Sequence, residues 1–329
     1  MNKMERSVYY ISAASTISHQ DTFGKNGFSE SVRKLDSDSV LASPDYKEFI
    51  DAGLLRRMSK ILRMSVACSK DCIRQAGIDQ PDAIVVGTGL GCLQDTEKFL
   101  STSLTVEGLL PPTSFIQSTH NTMAGQISLS LGNHGYNMTH TQNTLSFEHA
   151  LLDAMLLLNE GEEHILIGAA DEYIEILSEI TDRLGYQPGY PLTSGASFFI
   201  ISNQKTDETL ACIKDCEPVA FAKSLKASVQ HFLRSNSLKI SDVDTVLFAA
   251  PECGVITGEI KLLLEEGGID PAKCIDYLSL SGVYPTASAF ALNYATDLIR
   301  HDKSVRNILI LNSLRNENLG LTLVQAVEA

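Results

Sequence analysis

The 329-residue sequence lacks any apolar run long enough to span a membrane, and its first residues contain no signal-peptide core. It also lacks an excess of cations, since 40 acidic residues stand against 26 Lys and Arg and the net charge is -14. Such a charge repels the phosphates of nucleic acids. We therefore expect a cytoplasmic protein that neither spans a membrane nor binds nucleic acid.

The chain also lacks the cysteine spacings of disulfide frameworks and zinc sites. Its seven cysteines are odd in number and scattered, which is typical of reduced thiols. The pairs at 68/72 and 212/216 are too widely spaced for a C-x-x-C site, so packing is the predicted role. His120 and His134 have no acidic partner at ligand spacing, and we assign no metal and no cofactor. The GTGLG run at 87–91 lacks the spacing of a dinucleotide fingerprint.

What the chain does contain is a regular alternation of apolar strands and amphipathic helices. Strands are predicted at 7–14, 83–91, 136–141, 164–172, 196–201, 211–214, 245–250, 274–280, 307–311 and 321–326. Helices are predicted at 46–76, 121–131, 151–158, 173–184, 224–235, 256–266 and 286–301. The element order restarts after the polar stretch 204–208, which predicts two halves, 1–205 and 206–329, related by duplication of the fold.

The stretch 139–150 is the point around which this pattern is organised. A polar strand end runs there directly into an apolar helix. Such a turn places a residue at the positive end of the helix, where α/β enzymes commonly hold a nucleophile. No cysteine stands in this turn.

The segment 139–172 resembles the active-site region of the β-ketoacyl-acyl carrier protein synthases, and the N-T-x-A-G-x-I pattern at 121–127 is a second likeness. The resemblance implies an α/β, thiolase-like fold, with two duplicated βαβαβαββ halves in a layered αβαβα arrangement. Counted back from Gly161 and Glu172, the nucleophilic cysteine of the family falls on Thr144.

Condensing enzymes of this family need a thiolate, two histidines and donors for the thioester oxyanion. By resemblance, Thr144 takes the position of the cysteine, Pro251 that of the first histidine and Val283 that of the second. The stretch 315–320 replaces the G-F-G-G-x-N loop that gates the cysteine. The scaffold is thus kept while the reacting groups are replaced together, and we expect all three positions to be inactive.

Two other residues are candidate nucleophiles, Ser146 and Cys253, with His149 or His140 as the base. A hydroxyl in the first helical turn is more often a cap, a lone cysteine is more often inert, and a histidine on a packed helix face is more often structural. The predicted pocket residues are Gln142, Asn143, Ser146, His149, Cys253, Tyr284 and Asn316. The sequence leaves open whether Phe147, Asn316 and Tyr284 fill the pocket.

Loss of the cysteine is familiar in chain-length factors, the silent partners of ketosynthases, and the sequence resembles the compact versions from aryl polyene or flexirubin-type pathways. The resemblance implies a heterodimer with an active ketosynthase, with strand 136–141 near the interface and the acyl carrier protein met through the partner. One alternative is a divergent acyltransferase, hydrolase or 3-oxoacyl synthase that uses Ser146 or Cys253 on acyl thioesters. Another is a homodimeric binding protein for acyl chains.

Overall fold

The computed structural model describes residues 8–110, 112–185, 188–249, 255–315 and 318–327. The strands in these ranges are β1 Tyr9–Ile17, β2 Ala83–Gly87, β3 Tyr136–His140, β4 His164–Asp171, β5 Gly195–Ser202, β6 Ala211–Ala220, β7 Thr245–Ala249, β8 Cys274–Asp276, β9 Asn307–Arg315 and β10 Asn318–Gln325. The helices are α1 Ala52–Leu55, α2 Lys60–Ala76, α3 Leu93–Thr105, α4 Pro112–Gln117, α5 Thr122–Leu131, α6 Ser146–Glu160, α7 Glu175–Arg183, α8 Leu225–Ser235, α9 Val255–Gly267, α10 Leu278–Ser281 and α11 Ser288–His301.

The strands follow one another in the order β3-β2-β4-β5-β1-β6-β10-β9-β7-β8. Read outward from the middle, the order 1-5-4-2-3 in the first half is repeated as 6-10-9-7-8 in the second. In each half the first two pairings are antiparallel and the last two are parallel. The halves join where Tyr9, Tyr10 and Ile11 pair with Ile213, Cys212 and Ala211. The duplicated βαβαβαββ pattern is therefore confirmed.

Three apolar clusters arrange these elements in five layers. The central cluster surrounds α6 and α11 and draws residues from the strands of both halves, with Phe147 and Phe290 almost fully buried. A second cluster packs α2 and α5 on the outer face of the first half, and a third packs α8 and α9 on the outer face of the second. This is the predicted αβαβα layering. The boundary at 205/206 falls in the loop between β5 and β6 and stays a prediction, because the halves share the central core.

The predicted helix 46–76 is wrong as a single element, because local capping divides it. The Asp51 side chain accepts a hydrogen bond from the backbone N–H of Gly53 at 2.8 Å, which begins the one-turn helix α1. Ser59 has an extended backbone (ψ 170°) just before α2 begins. Asp and Ser favour such positions since their side chains compete for backbone groups.

The predicted strand 274–280 is also too long, and two helices were missed. The strand ends at Asp276, whose carboxylate accepts from the backbone N–H of Leu278 at 3.0 Å and starts α10. The helices α3 and α4 occupy a region without a predicted element. Pro112 begins α4, since the first helical residue needs no N–H donor.

Cys68, Cys72, Cys92, Cys216 and Cys274 form no disulfide among the described residues. Cys253 lies outside the described residues. Across the described ranges, no helix combines the length and apolarity of a membrane span.

Candidate functional site

The site is built around the turn that joins β3 to α6. Asn143 has a positive φ of 56°, a backbone conformation that Asn tolerates better than most residues with a side chain. The backbone N–H of Leu145 donates to the carbonyl of Gln142 at 3.2 Å. This sharp turn leaves Gln142 and Asn143 exposed and directs Thr144 into the protein, where it is 7% exposed.

Thr144, which the sequence predicts to take the position of a nucleophile, has no activating partner among the described residues. Its carbonyl accepts a hydrogen bond from Asn312 Nδ2 at 2.8 Å, which ties the turn to β9. Its hydroxyl makes no hydrogen bond with any residue in the described ranges. A threonine hydroxyl needs an adjacent base to become a nucleophile. The described residues therefore supply no proton acceptor to the Thr144 hydroxyl.

Ser146 is fully buried and serves the backbone. Its hydroxyl lies 2.8 Å from the Thr88 carbonyl and 2.7 Å from the Asn143 carbonyl, and it donates to them. The predicted capping role, in which Ser146 would accept from a helix N–H, is therefore wrong. Gly87 lies close to the start of α6, since a Cβ there would lie 2.7 Å from the Ser146 carbonyl oxygen. This close approach brings the carbonyl of the next residue, Thr88, within reach of the Ser146 hydroxyl.

Val283 occupies a packed loop rather than an acid–base site. Its backbone N–H donates to Pro191 O at 2.8 Å, and its carbonyl accepts from Thr193 N at 3.1 Å. The Val283 side chain is apolar and cannot carry a proton. The neighbouring Tyr284 is 4% exposed, and its hydroxyl has no hydrogen-bond partner among the described residues. A Cβ on Gly195 would lie 2.5 Å from that hydroxyl, so the Tyr284 ring packs directly on the β5 backbone.

Three of the sequence-predicted site residues cannot be placed. Pro251, Cys253 and Asn316 lie outside the described residues. Their predicted roles, an inactive histidine position, an alternative nucleophile and a pocket residue, stay predictions.

The two candidate bases, His140 and His149, lie on neighbouring elements: His140 ends β3, and His149 lies in α6. His140 Nε2 lies 2.9 Å from Asp153 Oδ2, and the Tyr136 hydroxyl donates to the same oxygen at 3.2 Å. His149 is half-buried one turn before Asp153, and burial, with a smaller effect of His140, lowers its pKa. His149 is therefore neutral near pH 7, and it makes no hydrogen bond with the Thr144 or Ser146 hydroxyl.

Sequence reasoning missed a buried carboxyl directly beneath Thr144. Glu148 is 1% exposed, and its Oε1 accepts from Asn312 Nδ2 at 2.8 Å. Its other oxygen has no partner in the described part of the chain, and burial raises the pKa of the carboxyl. A Cβ on Gly320 would lie 2.6 Å from Glu148 Oε1, so β10 needs glycine there. The available signal was an acidic residue in the first turn of a helix whose following residues are mainly apolar.

Asp171 and Glu172, at the end of β4, hold the surrounding loops. Asp171 accepts from the backbone N–H groups of Gly89, Leu90 and Thr286 at 3.0, 2.9 and 3.1 Å. Glu172 accepts from the second residues of two helices, Ile61 N at 3.3 Å and Gln94 N at 3.0 Å. Burial raises the pKa of Glu172 to about 7 against the opposing effect of these donors. The two carboxyls are structural connections between layers.

The metal-ligating residue types do not gather in threes anywhere in the described ranges. The two repeated half-sheets, the two shared central helices and a buried turn at the start of the first of these helices define a thiolase-like protein.

Comparison with known proteins supports the assignment to this class and identifies a family within it. The chain matches the family model of the beta-ketoacyl synthase N-terminal domain over residues 34–245, more than half of its length. It therefore belongs to the beta-ketoacyl synthase family, which confirms the resemblance seen in its sequence. No curated protein matches it in sequence.

Solved structures share the fold at low identity. The ishigamide ketosynthase/chain length factor superposes with a TM-score of 0.82 at 17% identity, over 98% of this chain and 100% of that one. A beta-ketoacyl synthase from Burkholderia phymatum STM815 gives 0.77 at 11%, over 98% and 100%. The ketosynthase ApeO in complex with its chain length factor ApeC from Xenorhabdus doucetiae gives 0.75 at 12%, over 99% and 100%. At identities this low, the superpositions establish the shared fold alone.

Proposed function

We propose that this chain is a catalytically silent β-ketoacyl synthase homologue that acts as a chain-length-factor-like subunit in acyl or polyketide biosynthesis of the aryl polyene type. The observation that carries the proposal is the β3–α6 turn, where the Thr144 hydroxyl makes no hydrogen bond with a base among the described residues. Two of the similar structures, the ishigamide ketosynthase/chain length factor and the ketosynthase ApeO in complex with its chain length factor ApeC, support the same role.

The alternative of an independent enzyme has less support. The Ser146 hydroxyl is fully buried and already bonded to backbone carbonyls, so turning it toward a thioester would take this donor away from the Thr88 carbonyl. The nearest candidate base in sequence, His149, is neutral but makes no contact with that hydroxyl. A nucleophile requires a base within hydrogen-bond reach.

The edge strand β3 supplies a surface for the partner. In the described residues β3 pairs only with β2, so its other edge presents free backbone N–H and C=O groups. Tyr136 and Met138 are 37% and 41% exposed on this strand. Exposed sheet edges without lysine or proline readily pair with another chain. We assign this edge to the ketosynthase interface.

Helices α3 and α4 add apolar surface in the preceding part of the chain. The ring centroids of Phe99 on α3 and Phe115 on α4 lie 5.4 Å apart. Leu104 and Ile116 are 87% and 64% exposed, and Leu109 between the two helices is fully exposed. Apolar surface of this kind marks a protein contact on soluble proteins. An active ketosynthase fits this surface as the partner, and a second copy of the chain is the alternative outcome to be tested.

The net charge of -14 argues against direct capture of an acidic carrier protein by this chain. In the proposed complex the carrier protein docks through the more basic partner. The silent subunit then contributes walls of the tunnel in which the acyl or polyene chain grows.

Intact-protein mass spectrometry tests the silent role. The chain is incubated with acyl- and malonyl-loaded carrier protein, alone and together with a candidate ketosynthase. We expect an acyl adduct on the ketosynthase only, and a change in product length when this chain is present. An adduct on the isolated chain would overturn the proposal, and its position would identify the nucleophile.

Native mass spectrometry tests the interface. Met138→Asp places a charge on the β3 edge and is expected to abolish the heterodimer with the ketosynthase. The matched control is Leu262→Asp on α9, because Leu262 is also exposed (58%) but lies on the outer layer of the second half. Equal loss of dimer in both variants would show that the β3 edge is not the contact, and a complex of two identical chains would favour the binding-protein alternative.

A further inference from the structure

A cleft at the C-terminal end of α11 is separate from the Thr144 turn. It encloses about 470 Å³ between the end of α11, the turn that leads into β9, the residues before β6 and the residues after β10. Helix α11 runs from Ser288 to His301, about 20 Å at its rise per residue. The cleft is therefore remote from Thr286, where the candidate site meets the start of this helix.

Three cations line the cleft, namely Arg300, Lys303 and Arg306. Among the described residues, no carboxylate lines it. Arg300 Nη1 donates to Asn26 Oδ1 at 3.0 Å and makes no ion pair in the described ranges. The side chains of Lys303 and Arg306 make neither a hydrogen bond nor an ion pair with any described residue. The chain has a net charge of -14, so this cluster is a local region of positive charge on a negatively charged protein.

Two carboxylates beside the turn that carries these cations are engaged by the backbone. Asp302 accepts from the N–H and hydroxyl of Ser304 at 2.9 and 2.6 Å, and these bonds lower its pKa. Asp244 accepts from the backbone N–H groups of Arg306 and Asn307 at 2.8 and 2.9 Å. These acids shape the turn that carries the cations instead of pairing with their side chains.

The remainder of the cleft wall is largely apolar and comes from Leu210, Ile299, Val305 and Val327, with smaller Thr209 and Ala326. Ile299 and Val305 are each 4% exposed, so they form the floor. Backbone hydrogen bonds hold the rim, from Leu210 N to Ile11 O and from Ala326 N to Arg306 O, both at 2.8 Å. A cleft held in this way is largely preformed, which lowers the entropy lost on binding.

A second cavity of about 580 Å³ adjoins this cleft and shares Arg300 and Leu210 with it. Its wall contains Asp207 and Glu208 as well as Lys25, so its charge is mixed. An anionic group is therefore favoured in the smaller cleft, where every charged lining residue in the described part of the chain is a cation.

We propose that the smaller cleft binds a single-tailed anionic amphiphile. Its carboxylate or phosphate head lies between Arg300, Lys303 and Arg306, and its alkyl chain lies on the apolar floor. Guanidinium groups form strong charge-assisted hydrogen bonds with both kinds of head. The volume of the cleft falls in the range of small-molecule sites, about 300–1,000 Å³. This inference does not depend on the proposed partner role.

Isothermal titration calorimetry with the full chain tests it, using decyl phosphate and decanoate as probes for the two head groups. Inorganic phosphate tests the head alone, and decanol tests the tail alone. The variant Lys303→Gln/Arg306→Gln removes two of the cations. The control Arg234→Gln/Lys239→Gln removes the same charge from α8 and the turn that follows it, where neither residue lines the cleft.

We expect at least one of the two amphiphiles to bind, and the cleft variant to weaken it about tenfold while the control variant does not. Binding of decyl phosphate without decanoate would assign a phosphate head, and the reverse a carboxylate. Absence of binding by both would overturn the proposal. So would equal affinity for inorganic phosphate or decanol, or equal weakening in the control variant. Thermal unfolding of each variant verifies that the fold is intact.

Discussion

Asp171 connects both halves at the candidate site, and its replacement has effects that the structure allows us to estimate. The carboxylate accepts from the hydroxyl of Thr88 at 3.0 Å and from the N–H groups of Gly89 and Leu90 at 3.0 and 2.9 Å. From the second half it receives the N–H and hydroxyl of Thr286 at 3.1 and 2.7 Å. Burial raises the pKa of Asp171, and these donors oppose that effect.

Asp171→Ala leaves three backbone N–H groups without their acceptor. Those of Gly89 and Leu90 are half-buried and cost about 1 kcal/mol each, and that of the fully buried Thr286 costs about 2 kcal/mol. The expected loss of unfolding free energy is about 4 kcal/mol, a large part of the roughly 5–15 kcal/mol of a typical domain. Asp171→Asn keeps one oxygen and removes the buried charge, so it should lose about 1–2 kcal/mol.

Urea unfolding followed by circular dichroism measures both losses, and Thr286 provides a milder pair. Thr286→Ala removes the hydroxyl donor at 2.7 Å, whereas Thr286→Ser keeps it. We expect the Ala variant to be less stable than the Ser variant by about 1 kcal/mol. Equal stability of the two Asp171 variants, or of the two Thr286 variants, would refute the hydrogen-bond argument.

Three further predictions concern residues around the turn. Burial raises the pKa of Glu172 to about 7, so the stability of the wild type falls as pH rises from about 4.5 to 7. Glu172→Gln should therefore gain up to about 3 kcal/mol relative to wild type between pH 5 and 8, and a constant difference in urea unfolding would contradict this. Gly320→Ala should lose about 1–3 kcal/mol by crowding Glu148, and a double-mutant cycle with Glu148→Ala should recover part of that loss; strict additivity would exclude the contact. Thr144→Cys should accept an acyl group from loaded carrier protein, which mass spectrometry detects. The variant alone should not elongate that acyl group, because Val283 cannot carry a proton; an elongated product would contradict this argument.

Much of the fold follows from local patterns in the chain. Short apolar runs bounded by polar residues predicted most of the strands, because burial on both faces demands such runs. The exposed edge strand β3 was predicted from its place before the apolar helix. Glycines follow α2 and α6 directly: Gly77 and Gly161 take positive φ values, 64° and 115°, which glycine adopts readily at a helix end. The errors fell where side chains cap backbone groups, at Asp51 and Asp276, since the same residues also occur in ordinary loops.

The candidate site divides in the same way. The sequence predicts that Thr144 replaces a nucleophile, and this stays a prediction. That the Val283 side chain carries no proton follows from its residue type alone. Only the tertiary structure showed that the Ser146 hydroxyl is held by two carbonyls and that Asn312 joins Thr144 to the buried Glu148. The latter contacts link residues more than 160 positions apart in the chain. No local pattern records such contacts, because they exist only once the two half-sheets have packed around α6 and α11.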